Sequence, residues 1–212
     1  MQATPSQARV EWWKLNVGLT RASAISVRKD LVTTSPNDSG TAPDQAEPTN
    51  QASPHLTHVR ADGSAHMVDV TGKSETSRTA VATGSVHTRA DVIDMIFDAN
   101  LPKGDALPVA RVAGIMGAKK TPEIIPLCHP LPLGKITVDF ERHTDGDRGE
   151  VRIVASVKTR GVTGVEMEAL TSVTTAALTV YDMIKAVDKH AVISDVRVLA
   201  KSGGKSGDWI VK

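Results

Sequence analysis

Cysteine occurs once in this chain, at Cys128. A lone thiol excludes an intrachain disulfide framework and any multi-thiolate zinc or iron–sulfur site within one chain, and it points to a reducing compartment. A surplus of either charge is also missing: 25 Lys and Arg face 24 Asp and Glu, for a formal charge of +1. Binding to duplex nucleic acid rests on counterion release by clustered excess cations, so DNA is set aside as a partner. No apolar run approaches the roughly 18 residues of a spanning helix. Glu11, Lys14 and Arg21 cut the stretch from Val10 to Val27, so it holds neither a membrane span nor a signal-peptide apolar region. The expectation is a soluble, cytoplasmic protein without a membrane partner. Aromatic residues are scarce too, at 3%. Yet 212 residues, 40% of them hydrophobic, suffice to bury one real core.

Hydrophobicity is unevenly distributed. From Thr33 to His55 there is no Val, Ile, Leu, Met or aromatic residue, while Pro36, Pro43, Pro48 and Pro54 recur among Ser, Thr, Asn and Gln. Such a segment cannot bury enough apolar area to offset chain entropy. Residues 1–56 read as a disordered N-terminal extension, with Trp12-Trp13 suited to a short amphipathic helix. The plain reading is a dispensable segment or an upstream start codon; partner docking or targeting is the alternative. Residues 57–212 form the domain.

Within the domain the punctuation is that of a mixed chain. Thr88 to Asp91 has the spacing of a capping box, followed by Val92, Ile96 and Phe97 on one helical face. Pro108 to Lys120 predicts a second helix with Val109, Val112, Ile115 and Met116 as its apolar stripe. Alternation over Lys135–His143 and Glu150–Thr159, with Asp145-Gly146 between, predicts an antiparallel hairpin. Thr163 and Glu166 repeat the capping spacing ahead of the longest helix, whose stripe runs through Val173, Ala177, Val180, Tyr181, Ile184 and Val187. A last strand spans about Ala191–Ala200. The predicted class is α+β, a ferredoxin-like sandwich of a mainly antiparallel sheet with helices on one face.

Several segments can carry chemistry. KSGGKSGD, residues 201–208, has glycines that let backbone N–H groups approach an anion, with Lys201 and Lys205 for charge. It is not a Walker A motif, because Leu199 stands where the first glycine belongs, so an anion-binding segment and a flexible basic turn both stay open. PLCHPLPL, residues 126–133, holds Cys128 and His129 on a proline-stiffened loop, either as ligand-facing groups or as buried fillers. Adjacent side chains on an extended loop diverge, which argues against a Cys–His nucleophile. Glu166 and Glu168 sit at the head of the long helix, where capping alone explains them. Asp182 and Lys185 share a face near its far end, as a surface ion pair or a proton-transfer pair.

If that helix is continuous, Glu168 and Asp182 lie roughly 21 Å apart. Either its head is not helical, or one site draws the two ends from different subunits running antiparallel. Such an interface would also bury aliphatic surface. The block Ala65–Lys73 with Arg78 adds His66, Asp69, Lys73 and Arg78, and Lys103, Lys119 and Lys120 add charge at helix ends; folding would have to gather them to bind a polyphosphate.

AHMVDV at 65–70, PLCHPL at 126–131, GVEMEAL at 164–170, AALTVYDMIKAV at 176–187 and VLAKSGGKSGD at 198–208 together resemble the molybdenum cofactor biosynthesis protein C family, the cyclic pyranopterin monophosphate synthases. The resemblance covers about Thr57 to Trp209 in the family's order. It implies conversion of 3′,8-cyclo-7,8-dihydroguanosine 5′-triphosphate to cyclic pyranopterin monophosphate with release of pyrophosphate, and makes 57–212 the catalytic domain. By position in the family pattern, Asp182 and Lys185 would be the acid–base pair. Leu127, Cys128, His129, Met167 and Glu168, with Glu166 beside them, would hold the guanine-derived part. Lys73, Arg78, Lys103, Lys201 and Lys205 would neutralise the phosphates. Neighbouring cations would depress the Lys185 pKa and suit it to proton shuttling. The resemblance also implies no redox cofactor, no protein metal site, Mg2+ only as counter-ion of the triphosphate, and a homohexamer built as a trimer of dimers with sites between subunits. Two rival readings are a non-catalytic nucleotide-binding protein using the same loops, and a metal-dependent hydrolase using His66, His129 and Glu168.

Overall fold

The computed structural model describes residues 59–60, 62–205 and 207–211. The proposed extension, its Trp12-Trp13 segment and the boundary at 56/57 lie outside the described residues. The chain runs β1 (Thr76–Arg89), α1 (Ala90–Phe97), α2 (Ala106–Lys119), α3 (Thr121–Ile124), β2 (Leu133–Asp145), β3 (Arg148–Gly161), α4 (Glu166–Ile184), β4 (Val192–Ser202) and β5 (Trp209–Ile210). The sheet order is β2-β3-β1-β4-β5, and every pair is antiparallel. The fold is therefore α+β, with helices packed on an antiparallel sheet. The hairpin forms as the alternation predicts, Asp145 opposite Arg148, turning through Gly146 at φ 56°.

The pattern did not announce β1, although it is the middle strand. Its residues Ala80 to Val86 are buried without interruption, on both faces of the sheet, so no polar–apolar alternation marks it. One face carries Ala80, Ala82 and Val86 into the core with Val151, Ile153, Ala155 and Val157 of β3 and Ala169, Val173, Ala176 and Val180 of α4.

Neither capping box forms. The strand runs on through Arg89, and Thr88 Oγ1 donates 2.7 Å to Asp188 instead of closing the first turn of α1. Helix α4 starts at Glu166 with Val165 as its N-cap and no side-chain cap, and it ends before Val187. In the first motif the Thr88 hydroxyl, and in the second the Glu166 carboxylate, which accepts from Lys201 at 2.9 Å, is taken by a partner distant in sequence.

Helix α2 begins two residues earlier than predicted and is turned the other way. Its buried face is Ala106, Ala110, Gly114, Gly117 and Ala118, whereas Val109, Val112 and Met116 are 50%, 57% and 52% exposed. Contact with α4 decides this. A Cβ on Gly117 would lie 2.4 Å from Thr175 Oγ1, and one on Gly114 would lie 2.9 Å from the Ser172 carbonyl oxygen. Only glycine permits backbones that close. On the sheet side, Arg111 donates 2.9 Å to the Val138 carbonyl and stacks over Phe140, which fixes the rotation.

Candidate active site

Two adjoining cavities open beside the N-terminal end of α4. The first, about 330 Å³, is lined by Leu127, Cys128 and His129 of the proline-stiffened loop, by Met167 and Glu168 of α4, and by Val68, Val70 and Lys73. The second, about 610 Å³, is lined by Lys73, Arg78, Lys201 and Lys205 among Ser74, Thr76 and the turn Val162-Thr163-Gly164. They share Lys73, Thr163 and Gly164. The fold thus gathers four of the predicted cations into one concave surface, next to the loop residues predicted to hold a ring.

The basic C-terminal segment is built for that place. Gly203 and Gly204 hold φ of 84° and 80°, a region that L side chains avoid. They also pass close to β1: a Cβ on Gly203 would lie 2.1 Å from the Ser77 carbonyl oxygen, and one on Gly204 would meet the Arg78 guanidinium at 2.2 Å. Arg78 itself is held by Nε donating 2.9 Å to the Gly161 carbonyl.

In the first cavity, His129 Nε2 lies 2.9 Å from the Val68 carbonyl oxygen. A carbonyl only accepts, so His129 Nε2 is the donor of this hydrogen bond. Glu168 is 3% exposed. Burial pushes its carboxyl pKa up, and the nearby Glu166 charge adds to this. Burial likewise pushes the Cys128 thiol up, helped by Glu168. Cys128 therefore stays a thiol near neutrality, which agrees with its dismissal as a nucleophile.

Asp182 and Lys185 stand at the other end of α4. Lys185 Nζ lies 2.7 Å from Asp182 Oδ1, and Lys103 Nζ lies 2.9 Å from Asp182 Oδ2. Hydrogen bonds from Lys185 and Lys103 hold the Asp182 pKa down to about 2. The expected depression of Lys185 is not found. Its hydrogen bond and charge attraction to Asp182 raise its pKa above 10.5, since within this chain its immediate neighbour is an anion. Lys103, grouped by sequence with the phosphate-binding cations, lies beside Asp182 and lines neither cavity of its own chain.

Helix α4 is continuous, so its head is helical and one chain keeps Glu168 and Asp182 a helix length apart. Of the remaining candidates, Lys120 pairs with Glu123 at 3.0 Å and Asp69 accepts from Thr71 in its own turn. Thr163, read as a helix cap, Gly164, and Ser74 and Thr76 were missed as cavity lining; the two pairs are brought together by the register Thr76 opposite Gly161. Among the described residues no three His, Cys, Asp or Glu side chains converge as a metal site. The set His66, His129 and Glu168 is thus not assembled for a metal hydrolase. Also among the described residues, no helix is long and apolar enough to cross a membrane.

Residues 67–204 match the family model of the MoaC family. The chain is similar to cyclic pyranopterin monophosphate synthases over nearly their whole length. That of Corynebacterium efficiens is 85% identical over 156 residues, which cover 74% of this chain and 98% of the relative. One from Corynebacterium glutamicum is 80% identical over 157 residues, with the same coverage. That of Streptomyces avermitilis is 55% identical over 170 residues, 80% of this chain and 98% of the relative.

Proposed function

The chain belongs to the MoaC family, and we propose that the two ends of α4, brought together from two subunits, form the active site of its reaction. The protein is an enzyme of molybdenum cofactor biosynthesis that makes cyclic pyranopterin monophosphate. Its substrate is 3′,8-cyclo-7,8-dihydroguanosine 5′-triphosphate, and pyrophosphate is released.

Each part of the site suits one part of that substrate. The cavity with Lys73, Arg78, Lys201 and Lys205 takes the triphosphate and neutralises the departing pyrophosphate. The cavity beside it takes the guanine-derived ring: Glu168 offers a buried carboxyl and His129 a fixed ring against Leu127, Cys128 and Met167. Lys185 enters as an ammonium and so as a proton donor. Asp182, ionised throughout the physiological range, orients Lys185 and Lys103 and takes a proton back as the ring is rebuilt and the cyclic phosphate closes. No redox cofactor is needed, and magnesium enters with the triphosphate as its counter-ion.

One observation carries the two-subunit reading. Met167, Thr171, Thr174, Leu178, Asp182 and Lys185 follow helical spacing along a single outer stripe of α4, with both half-sites at its ends and no charge between them. Leu178 is 56% exposed, as are the outer valines and methionine of the adjoining α2 to about the same degree. A twofold axis through this patch would run two α4 helices antiparallel and bury it, placing Asp182 of one subunit near Met167 of the other. The dimer is then the unit of a hexamer, and the cytoplasm is the compartment we assign.

Mixing defective subunits tests this. Lys185→Ala and His129→Ala chains, each inactive alone with the cyclised triphosphate, should regain about a quarter of wild-type pyrophosphate and pterin output after random exchange between dimers. No recovery, with exchange confirmed by mass, would place both halves of the site in one chain.

A further inference from the structure

Resting on the reading of the cation-lined cavity as the phosphate site, we propose that Glu166 is not a substrate ligand but a resident counter-anion of that site, which limits how tightly pyrophosphate is held and so lets it leave.

Four cations line the cavity and no carboxylate does. Among the described residues, the carboxylate paired with this cluster is Glu166, whose Oε1 accepts from Lys201 Nζ at 2.9 Å. The pair is well shielded, with side chains 17% (Lys201) and 27% (Glu166) exposed. It therefore escapes much of the screening that makes surface pairs weak. Glu166 opens α4, where the helix dipole favours a carboxylate, but its side chain is folded back. A Cβ on Gly164 would come within 1.9 Å of Glu166 Oε2, so the absence of a side chain at Gly164 gives the carboxylate its seat. Gly164 belongs to the wall shared by both cavities. Met167 and Glu168, the next two residues, line the ring-holding cavity; Glu166 lines neither.

Against a polyphosphate, four uncompensated cations would hold substrate and product alike, and tight product binding slows turnover. A fixed negative charge behind Lys201 subtracts from that attraction while leaving the ammonium in place. Glu166→Gln separates charge from position, because the amide oxygen still accepts from Lys201 while the anion is gone.

The test is titration of inorganic pyrophosphate into the full chain by calorimetry, with a pre-steady-state trace of pterin formation. Glu166→Gln is expected to bind pyrophosphate about tenfold more tightly at low salt, with the difference shrinking as salt rises. It should also show a burst of product followed by slow release. Gly164→Ala, which displaces the carboxylate without removing it, should shift affinity the same way by a smaller factor. Unchanged or weaker pyrophosphate binding by Glu166→Gln overturns the counter-anion role and leaves the phosphate site standing. Equal binding by wild type and the double variant Lys201→Met, Arg78→Met overturns the site itself and the proposal with it.

Discussion

Lys103 and Asp182, 79 residues apart, meet twice: the lysine Nζ lies 2.8 Å from the aspartate's backbone carbonyl oxygen and 2.9 Å from its carboxylate. The double contact ties the segment before α2 to the end of α4. It sets Lys103 beside the Asp182–Lys185 pair and apart from the cation-lined cavity of its own chain.

Kinetics should therefore divide the lysines into two sets. Lys185→Ala is expected to lower kcat by roughly 10² to 10⁴, the range of a general acid–base group, with fold and assembly size retained. Lys103→Met should also act chiefly on kcat. Lys201→Met should act chiefly on substrate affinity and flatten its salt dependence, because one fewer cation is screened. Steady-state kinetics across a salt series checks the division, and a purely affinity-type defect in Lys103→Met would move it back to the phosphates.

Titration of the two carboxylates should run in opposite senses. Asp182 is lowered from 3.8 to about 2, so its pairing with Lys185 and Lys103 is complete above the unfolded value and is lost as pH falls through about 2. An acid limb in the activity profile above pH 4 is then not its own. Glu168 is raised above 4.5, so the folded chain binds that proton more tightly than the unfolded chain, and stability is lost as pH climbs past 4.5. Glu168→Gln should raise Tm near neutrality and leave it unchanged at about pH 3, where both side chains are neutral. A gain that persists in acid would assign the effect to packing.

Close helix contact makes Gly117 a sensitive point. Gly117→Val must push against Thr175 and is expected to cost about 1–3 kcal/mol by overpacking, read as a lower denaturant midpoint at unchanged slope. Tolerance of valine would show that α2 and α4 can separate without loss.

Charge placed on the outer stripe should disrupt assembly before it disrupts folding. The double variant Val112→Glu, Leu178→Glu changes two residues more than half exposed, so each chain should keep its Tm. Sedimentation should show a smaller species without activity toward the cyclised triphosphate. Full activity in a monomer would refute the two-subunit site.

Local pattern sufficed for the hairpin, the long helix and the last strand, because there each residue's preference and its final surroundings agree. It also fixed the spacing of Asp182 and Lys185, since a helix converts sequence distance directly into direction. Tertiary packing decided the rest. It buried β1 on both faces and so erased its alternation, drew Thr88 to Asp188 rather than to a helix end, and turned the valines of α2 outward because two glycines had to face α4. Nor could sequence place Lys103: whether a lysine faces phosphate or a carboxylate depends on groups 79 positions away, and only chain closure brings them within hydrogen-bonding distance.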